Sequence, residues 1–228
     1  MELSREHVNA ATSTHRHTAD ELAKNCDSSA CEALCRRLVG LIEAKFEAVQ
    51  AAGAAVECAA GCNFCCHQRV GVLPHEAIAL LRYLRASAAP AVAAAIEQRI
   101  LDNARRIDGM TVREHYAANI RCAFLIDGQC SAYEVRPSAC ATYHSLSKAR
   151  CEYSFNHPQG IGTPANGRPA LLELQVYCDA LIEATQAGLK DVGLVAQKGE
   201  LQQLLRTLIE DPSAVERWCD GGELAAAP

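Results

Sequence analysis

The sequence has no apolar run long enough to cross a bilayer: its most apolar windows are broken by Arg, Glu or Gln every few residues, well short of the roughly 18 to 20 a span requires. Nor does its first stretch hold an apolar run of signal-peptide length. The first residues, MELSREHVNAATSTHRHTADELAKN, carry charge and histidine throughout, so the expectation is a soluble, cytoplasmic protein. An excess of positive charge is missing as well. With 22 Lys and Arg against 27 Asp and Glu the net charge is −5, which argues against sequence-independent attraction to nucleic acid or to an anionic membrane. There is no strand-type alternation over five or more residues, no internal repeat and no linker that demands two domains. A phosphate-binding glycine-rich loop, a Ser-x-x-Lys signature and a nucleophile elbow are all absent. Large aromatics are scarce, with 4 Phe and 1 Trp in 228 residues, yet 13 positions are cysteine.

Half of the residues are apolar, enough to build a core without cross-links. So many thiols therefore need an explanation from compartment or from metal. In a reducing cytosol thiols stay free, and cysteines clustered at short spacing read as metal ligands or redox groups rather than as structural disulfides.

Helical periodicity recurs along most of the chain, and the expected fold is all-α, with irregular cysteine-rich metal-binding loops carried on a helical scaffold. One compact domain is expected, made of an N-terminal segment and helix over 1–52, a cysteine-cluster region over 53–165 and C-terminal helices over 166–228. Residues 18–52 read as one helix, with Ser28 or Ser29 as a cap further in and Cys31, Leu34, Cys35, Leu38, Ile42, Phe46 and Val49 on its buried stripe. Cys31 and Cys35 are then core residues, although one-turn spacing can also clamp a soft metal. His7, His15 and His17 fall in a polar stretch, expected at the surface or disordered. Pro74 starts a helix with His75 and Glu76 in its first turn. Further helices fit 91–107 and VREHYAANI, with Asp108-Gly109 between them. Residues 122–151 are expected to be irregular and 156–169 a loop. A helix over 170–187 ends at Gly188, another covers 196–209, a last one starts at Asp211-Pro212, and ELAAAP is a frayed tail.

The chemistry concentrates in two segments. The first, Cys58-Ala-Ala-Gly-Cys62-Asn-Phe-Cys65-Cys66-His67, places four thiols and an imidazole within ten residues, and Gly61 and Asn63 permit the turn that wraps thiolates around one centre. The second runs Cys122-Ala-Phe-Leu-Ile-Asp-Gly-Gln-Cys130 and on through Tyr133, Glu134, Arg136 and Pro137 to Cys140, with Cys151 eleven residues later. Asp127-Gly128 is a turn signal that brings Cys122 and Cys130 together. Adjacent side chains diverge, so Cys65 and Cys66 do not serve one ion in the same way. His67 and His144 read as residues packed beside the site, and the Tyr-Glu-x-Arg-Pro stretch as a turn held by an Arg–Glu interaction. Lys148 and Arg150 either favour thiolate at Cys151 or are simply solvated. Cys26, Cys178 and Cys219 are isolated and read as ordinary buried cysteines.

CAAGCNFCC and CAFLIDGQCSAYEVRPSAC resemble the paired signatures of the CxxCxxCC cysteine-cluster family, the YkgJ-like zinc- or iron-chelating domain, over about residues 56 to 165. The resemblance implies Cys58, Cys62, Cys65, Cys66, Cys122, Cys130, Cys140 and Cys151 as the chelating set. The chain departs from the family pattern by three residues between Cys58 and Cys62 and by lacking the glycine that usually follows the middle cysteine.

Eight thiolates would fill two four-coordinate sites, whereas one zinc or one [4Fe–4S] cluster uses four. The leading expectation is a cytoplasmic protein whose two cysteine segments converge on an iron–sulfur cluster, preferred to zinc because eight candidates exceed what a lone structural zinc needs. Beyond the metal or cluster, its partner is an unidentified protein or small molecule, neither nucleic acid nor membrane. One alternative is an S-adenosylmethionine-dependent enzyme, from resemblance to flagellin lysine-N-methylase, which carries a similar cysteine block; this chain is shorter and has no separate nucleotide-binding motif. The other is metal storage or sensing, from Cys31, Cys35 and the histidine-bearing N-terminus.

Overall fold

The structure is a computed structural model that describes residues 4–59, 61–160 and 170–224. Among them are ten α-helices and four strands of two residues each, so the fold is all-α as expected. None of the helices is long and apolar enough to cross a membrane. Most of the loop expected over 156–169 and of the C-terminal tail lies outside the described residues.

The single N-terminal helix expected over 18–52 is two helices, α1 (Arg5–Lys24) and α2 (Ser28–Ala51). The break falls at Asn25-Cys26-Asp27, where the Asp27 carboxylate accepts the N–H groups of Ser29 and Ala30 at 2.8 Å and so caps α2, one residue before the expected Ser28. α1 reaches back into the polar, histidine-bearing stretch because Ser4 and His7 cap it reciprocally. His7 is therefore buried, contrary to the expectation of a surface or disordered residue, and His15 pairs with Asp191 at 2.7 Å.

β1 (Gly71–Val72) leads into α3 (Pro74–Ser87), which has Pro74 in its first turn and nine buried residues. α4 (Pro90–Ile107) and α5 (Val112–Ala117) follow, separated at Asp108-Gly109 as expected. The irregular segment holds a hairpin of β2 (Leu125–Ile126) and β3 (Gln129–Cys130), and the short helices α6 (Ser138–Ala141) and α7 (Lys148–Asn156). α8 (Leu172–Asp191), β4 (Gly199–Glu200), α9 (Leu201–Glu210) and α10 (Ala214–Cys219) complete the chain, and β4 pairs antiparallel with β1, Gly71 opposite Glu200. The last helix starts two residues beyond the expected Asp211-Pro212, with Ser213 as its cap.

Two apolar clusters hold these elements. One gathers α3, α4, α9 and α10 around Ile78, Leu80, Ile96, Ile100, Leu205 and Trp218; the other packs α2 against α8 through Leu38, Ile42, Leu174 and Leu181. Each such side chain contributes roughly 1.5–3 kcal/mol on burial. The stripe expected on α2 is buried, Cys31 and Cys35 included, except for Phe46, which is half-buried. Gly188 does not end α8. It lies inside the helix where α1 crosses, and a Cβ there would stand 2.6 Å from the carbonyl oxygen of His15, so glycine permits the close approach of two helices.

Cys26 and Cys219 are not isolated. They form a disulfide across 193 residues of sequence, Cα to Cα 5.6 Å, that ties the α1–α2 break to α10. Cys178 is fully buried and free, as expected.

Candidate metal centre

The first cysteine segment turns on itself. Cys62 donates its N–H to the Ala59 carbonyl at 3.0 Å, with Gly61 at φ 84°, a left-handed value that glycine adopts without strain. Residues Phe64–His67 then form a 3-10 turn in which the Cys66 N–H reaches the Asn63 carbonyl. Sequence alone reads this turn as flexibility; in the fold it is a hydrogen-bonded 3-10 turn with Cys65 and Cys66 both half-buried.

The second segment docks on the first through its hairpin. Asp127 and Gly128 both have positive φ, 48° and 79°, the two-residue turn that matches strand twist, and it sets Leu125 opposite Cys130. The Cys122 N–H donates to the Cys66 carbonyl at 2.8 Å, a direct strut between the two segments. A Cβ on Gly128 would meet the Asn63 side chain at 3.4 Å, so the hairpin tip rests against the first loop.

A third strand of chain laces Cys58 to α7. The Ser145 N–H donates to Cys58 Sγ at 3.1 Å, Glu57 N–H donates to the Ser145 carbonyl, and the Glu57 carboxylate accepts the Lys148 N–H at 2.6 Å. Ser147 caps α7, on whose inner side Cys151 is buried. Lys148 and Arg150 are exposed.

Cys140 is carried by α6, and α6 is held by Glu76, a fully enclosed carboxylate in the first turn of α3 that bonds to Ser138. Arg136 is buried too. Its guanidinium stacks 3.6 Å over the Tyr133 ring and donates to the Tyr133 carbonyl and to Glu43, each at 3.0 Å. The turn is thus held by an Arg–Glu pair as expected, but the carboxylate comes from α2, and Glu134 pairs with Arg36 instead. His67 sits with its Nδ1 3.1 Å from the Asn63 carbonyl oxygen and its ring against Phe155, and His144 stacks on Phe46 with centroids 3.6 Å apart.

Seven of the eight thiols fall into two groups by which thiols act on one another. Cys65, Cys122, Cys130 and Cys140 all lie within electrostatic reach of one another. Burial pushes the Cys122 thiol up to about 12, and the neighbouring thiols add to it. Burial likewise raises Cys130, against the pull of the Ala132 N–H and the Arg136 charge. Cys140 has much of its residue surface exposed, yet protein packed beneath its thiol raises it well above the ordinary range, with Cys122, Cys65 and Cys130 contributing. The second group is Cys58, Cys62 and Cys151; burial raises the Cys58 thiol, and Cys62, Cys151 and Cys65 push the same way. Cys65 adjoins both groups.

Among the described residues no group of three or more His, Cys, Asp or Glu side chains is placed so as to hold a metal ion. The donor set itself fits a thiophilic metal. The inner group is sulfur only, and soft thiolates select zinc and iron–sulfur centres. The two helix-borne supports, Glu76 and the Arg136–Glu43 pair, were not assigned from sequence as parts of this site; the signal for the first was a glutamate at the third helical position after Pro74.

No curated protein and no solved structure matches the chain. Residues 57–165, which contain all eight cysteines of the expected chelating set, match the family CxxCxxCC, described as a "Putative zinc- or iron-chelating domain".

Proposed function

We propose that the domain holds a thiolate-ligated metal centre through Cys65, Cys122, Cys130 and Cys140, with Cys58, Cys62, Cys66 and Cys151 as the remaining members of the chelating set. The observation that carries this reading is the docking of the two cysteine segments on each other, with the Cys122 N–H on the Cys66 carbonyl and the hairpin tip at Gly128 against Asn63. Four thiolates are what a tetrahedral zinc or a cubane cluster takes. Iron as a [4Fe–4S]-type cluster is preferred to zinc, because the thiols outnumber the needs of one structural ion and a core of this size already provides stability. Such a cluster would supply electron transfer or Lewis-acid chemistry at the site.

The chain's own residues prepare the place. The Cys66–Cys122 backbone bond fixes the separation of the segments, Glu76 fixes α6 and so Cys140, and Arg136 sets a positive charge beside Cys130 to offset the anionic thiolates. Thiolate ligation calls for reduced thiols at these eight positions, none of which takes part in the Cys26–Cys219 disulfide. Storage through Cys31 and Cys35 draws no support from the fold, since burial pushes Cys31 up to about 12 and keeps both thiols neutral in the core.

The test is anaerobic purification followed by iron, zinc and acid-labile sulfide analysis and an absorption spectrum. Stoichiometric iron and sulfide with broad absorption near ~400 nm is the expected result for thiolate-ligated iron. Stoichiometric zinc without sulfide overturns the iron assignment, and absence of any tightly held metal overturns the centre itself.

A further inference from the structure

The buried stripe of α1 holds hydroxyls where a packed helix usually presents apolar groups: Thr14 and Thr18 lie one turn apart on it. Beside them α1, α2, α3 and α8 enclose a small cavity, walled by Leu34, Leu38 and Leu41 and reached by Thr14, Arg37 and His75. It has about 10 Å³ of room for the centre of a water-sized sphere, the space of one water or one hydroxyl. His75 is fully buried, and neither of its ring nitrogens has a hydrogen-bond partner among the described residues; the same is true of Thr14 Oγ1 and Arg37 Nε. Nearly all buried polar groups in folded proteins are paired, so three such residues around one cavity point to a group that enters it. Arg37 and His17 also line a second space, an open cleft of about 480 Å³ between α1 and α2, within the size range of small-molecule sites. Asn9, Ser13, Arg16 and Asp20, three or four residues apart, form the α1 side of this cleft. Arg37 is held toward them by donating to Ser13 Oγ at 3.2 Å.

We propose that the cleft and the cavity form one binding site for a small oxyanion that also carries a hydroxyl group, a hydroxycarboxylate or a phosphate ester. The anionic head lies on Arg16 and Arg37, whose forked N–H donors suit carboxylate and phosphate alike. These two guanidinium groups exceed Asp20 by one positive charge, a surplus that favours a small anion and disfavours a polyphosphate. The hydroxyl passes between His17 and Arg37 into the cavity, where Thr14 and His75 are its partners. Either can donate or accept, because a hydroxyl and a neutral imidazole carry both functions, and burial favours the neutral form of His75. The leucine walls keep bulk water away from these bonds, which strengthens them. Apart from His75 these residues precede the cysteine segments, so the site stands or falls independently of the metal centre.

The experiment titrates the purified full-length protein by calorimetry, in a buffer free of phosphate, with two matched pairs: L-malate against succinate, and glycerol 3-phosphate against propyl phosphate. Within the pair that binds more tightly, which identifies the head as carboxylate or phosphate, the hydroxylated member is expected to bind about fivefold better. Arg16→Gln, at an exposed position, should weaken that pair about tenfold. Thr14→Val should remove the advantage of the hydroxylated member and leave its partner's affinity as it was, whereas Thr14→Ser should keep the advantage. No saturable binding by either pair, equal affinity within the binding pair, or unchanged affinity in Arg16→Gln overturns the site. A preference for the hydroxyl that survives in a folded Thr14→Val protein overturns it too. If Thr14→Val does not fold, the matched pairs and Arg16→Gln decide.

Discussion

Glu76 and Ser138, 62 residues apart in the chain, are joined by two hydrogen bonds of 2.7 Å: the backbone N–H and the hydroxyl of Ser138 both donate to one oxygen of the Glu76 carboxylate. The other oxygen accepts the Leu73 N–H at 2.7 Å. One buried side chain thus caps α3 and fixes the start of the helix that bears Cys140. Glu76→Ala strands three donors in the interior and should cost about 3 kcal/mol in urea denaturation. Bound metal should fall with it. Glu76→Gln keeps an acceptor for Ser138 but turns an NH2 group toward the Leu73 N–H, and should lie between the two.

Cys140 and Cys178 make a matched pair of probes. Both are free thiols whose protons burial holds on, and one belongs to the inner group while the other lies in the α2–α8 core. Cys140→Ser should abolish most metal binding in elemental analysis. Cys178→Ala should leave metal content unchanged and cost on the order of 1 kcal/mol of stability. Equal loss of metal in both would show the ligand assignment to be wrong.

At Gly188 the sign of an alanine substitution is decided by packing. In an open helix interior Gly→Ala gains roughly 1 kcal/mol. Here the added methyl meets the His15 carbonyl oxygen at 2.6 Å and Thr18 Cβ at 2.9 Å, so α1 must move away. Gly188→Ala is expected to destabilise by about 1–3 kcal/mol in a denaturation curve. A gain in stability would contradict the α1–α8 contact.

Cys31 gives the apoprotein an alkaline limit. Burial, with help from the Asp27 charge, pushes its thiol up to about 12, so the folded state favours the neutral form more than the unfolded chain does. That stabilisation is complete below the ordinary thiol range, near 8.5, and is lost as pH rises toward about 12. Stability measured across this window should decline, and Cys31→Ala should flatten the decline. A Cys31→Ala protein with the same alkaline slope would remove Cys31 as its cause.

What the sequence made legible was local. The three- and four-residue spacing from Cys31 to Val49 named the buried face of α2, Pro74 marked the first turn of α3, and Asp127-Gly128 specified the hairpin that sets Cys130. Each of these is a statement about neighbours along the chain. The features it concealed pair residues far apart: Glu76 with Ser138, Glu43 with Arg136, Cys26 with Cys219. No composition or period reports such a pairing. Gly188 misled for a related reason, since a helix-ending glycine and a helix-crossing glycine look identical until the second helix is in place. The resemblance named the eight cysteines, but that the Cys122 N–H meets the Cys66 carbonyl and the Ser145 N–H meets Cys58 Sγ shows only in the fold.

The Cys26–Cys219 bond also changes what a cut in the chain means. Every candidate ligand lies inside the covalent ring it closes, as do α2 through α9. A protease that nicks any peptide between Asp27 and Trp218 opens the ring into a longer linear molecule without releasing a fragment. The two halves therefore run as one species on a denaturing gel until a reductant is added, and only then separate.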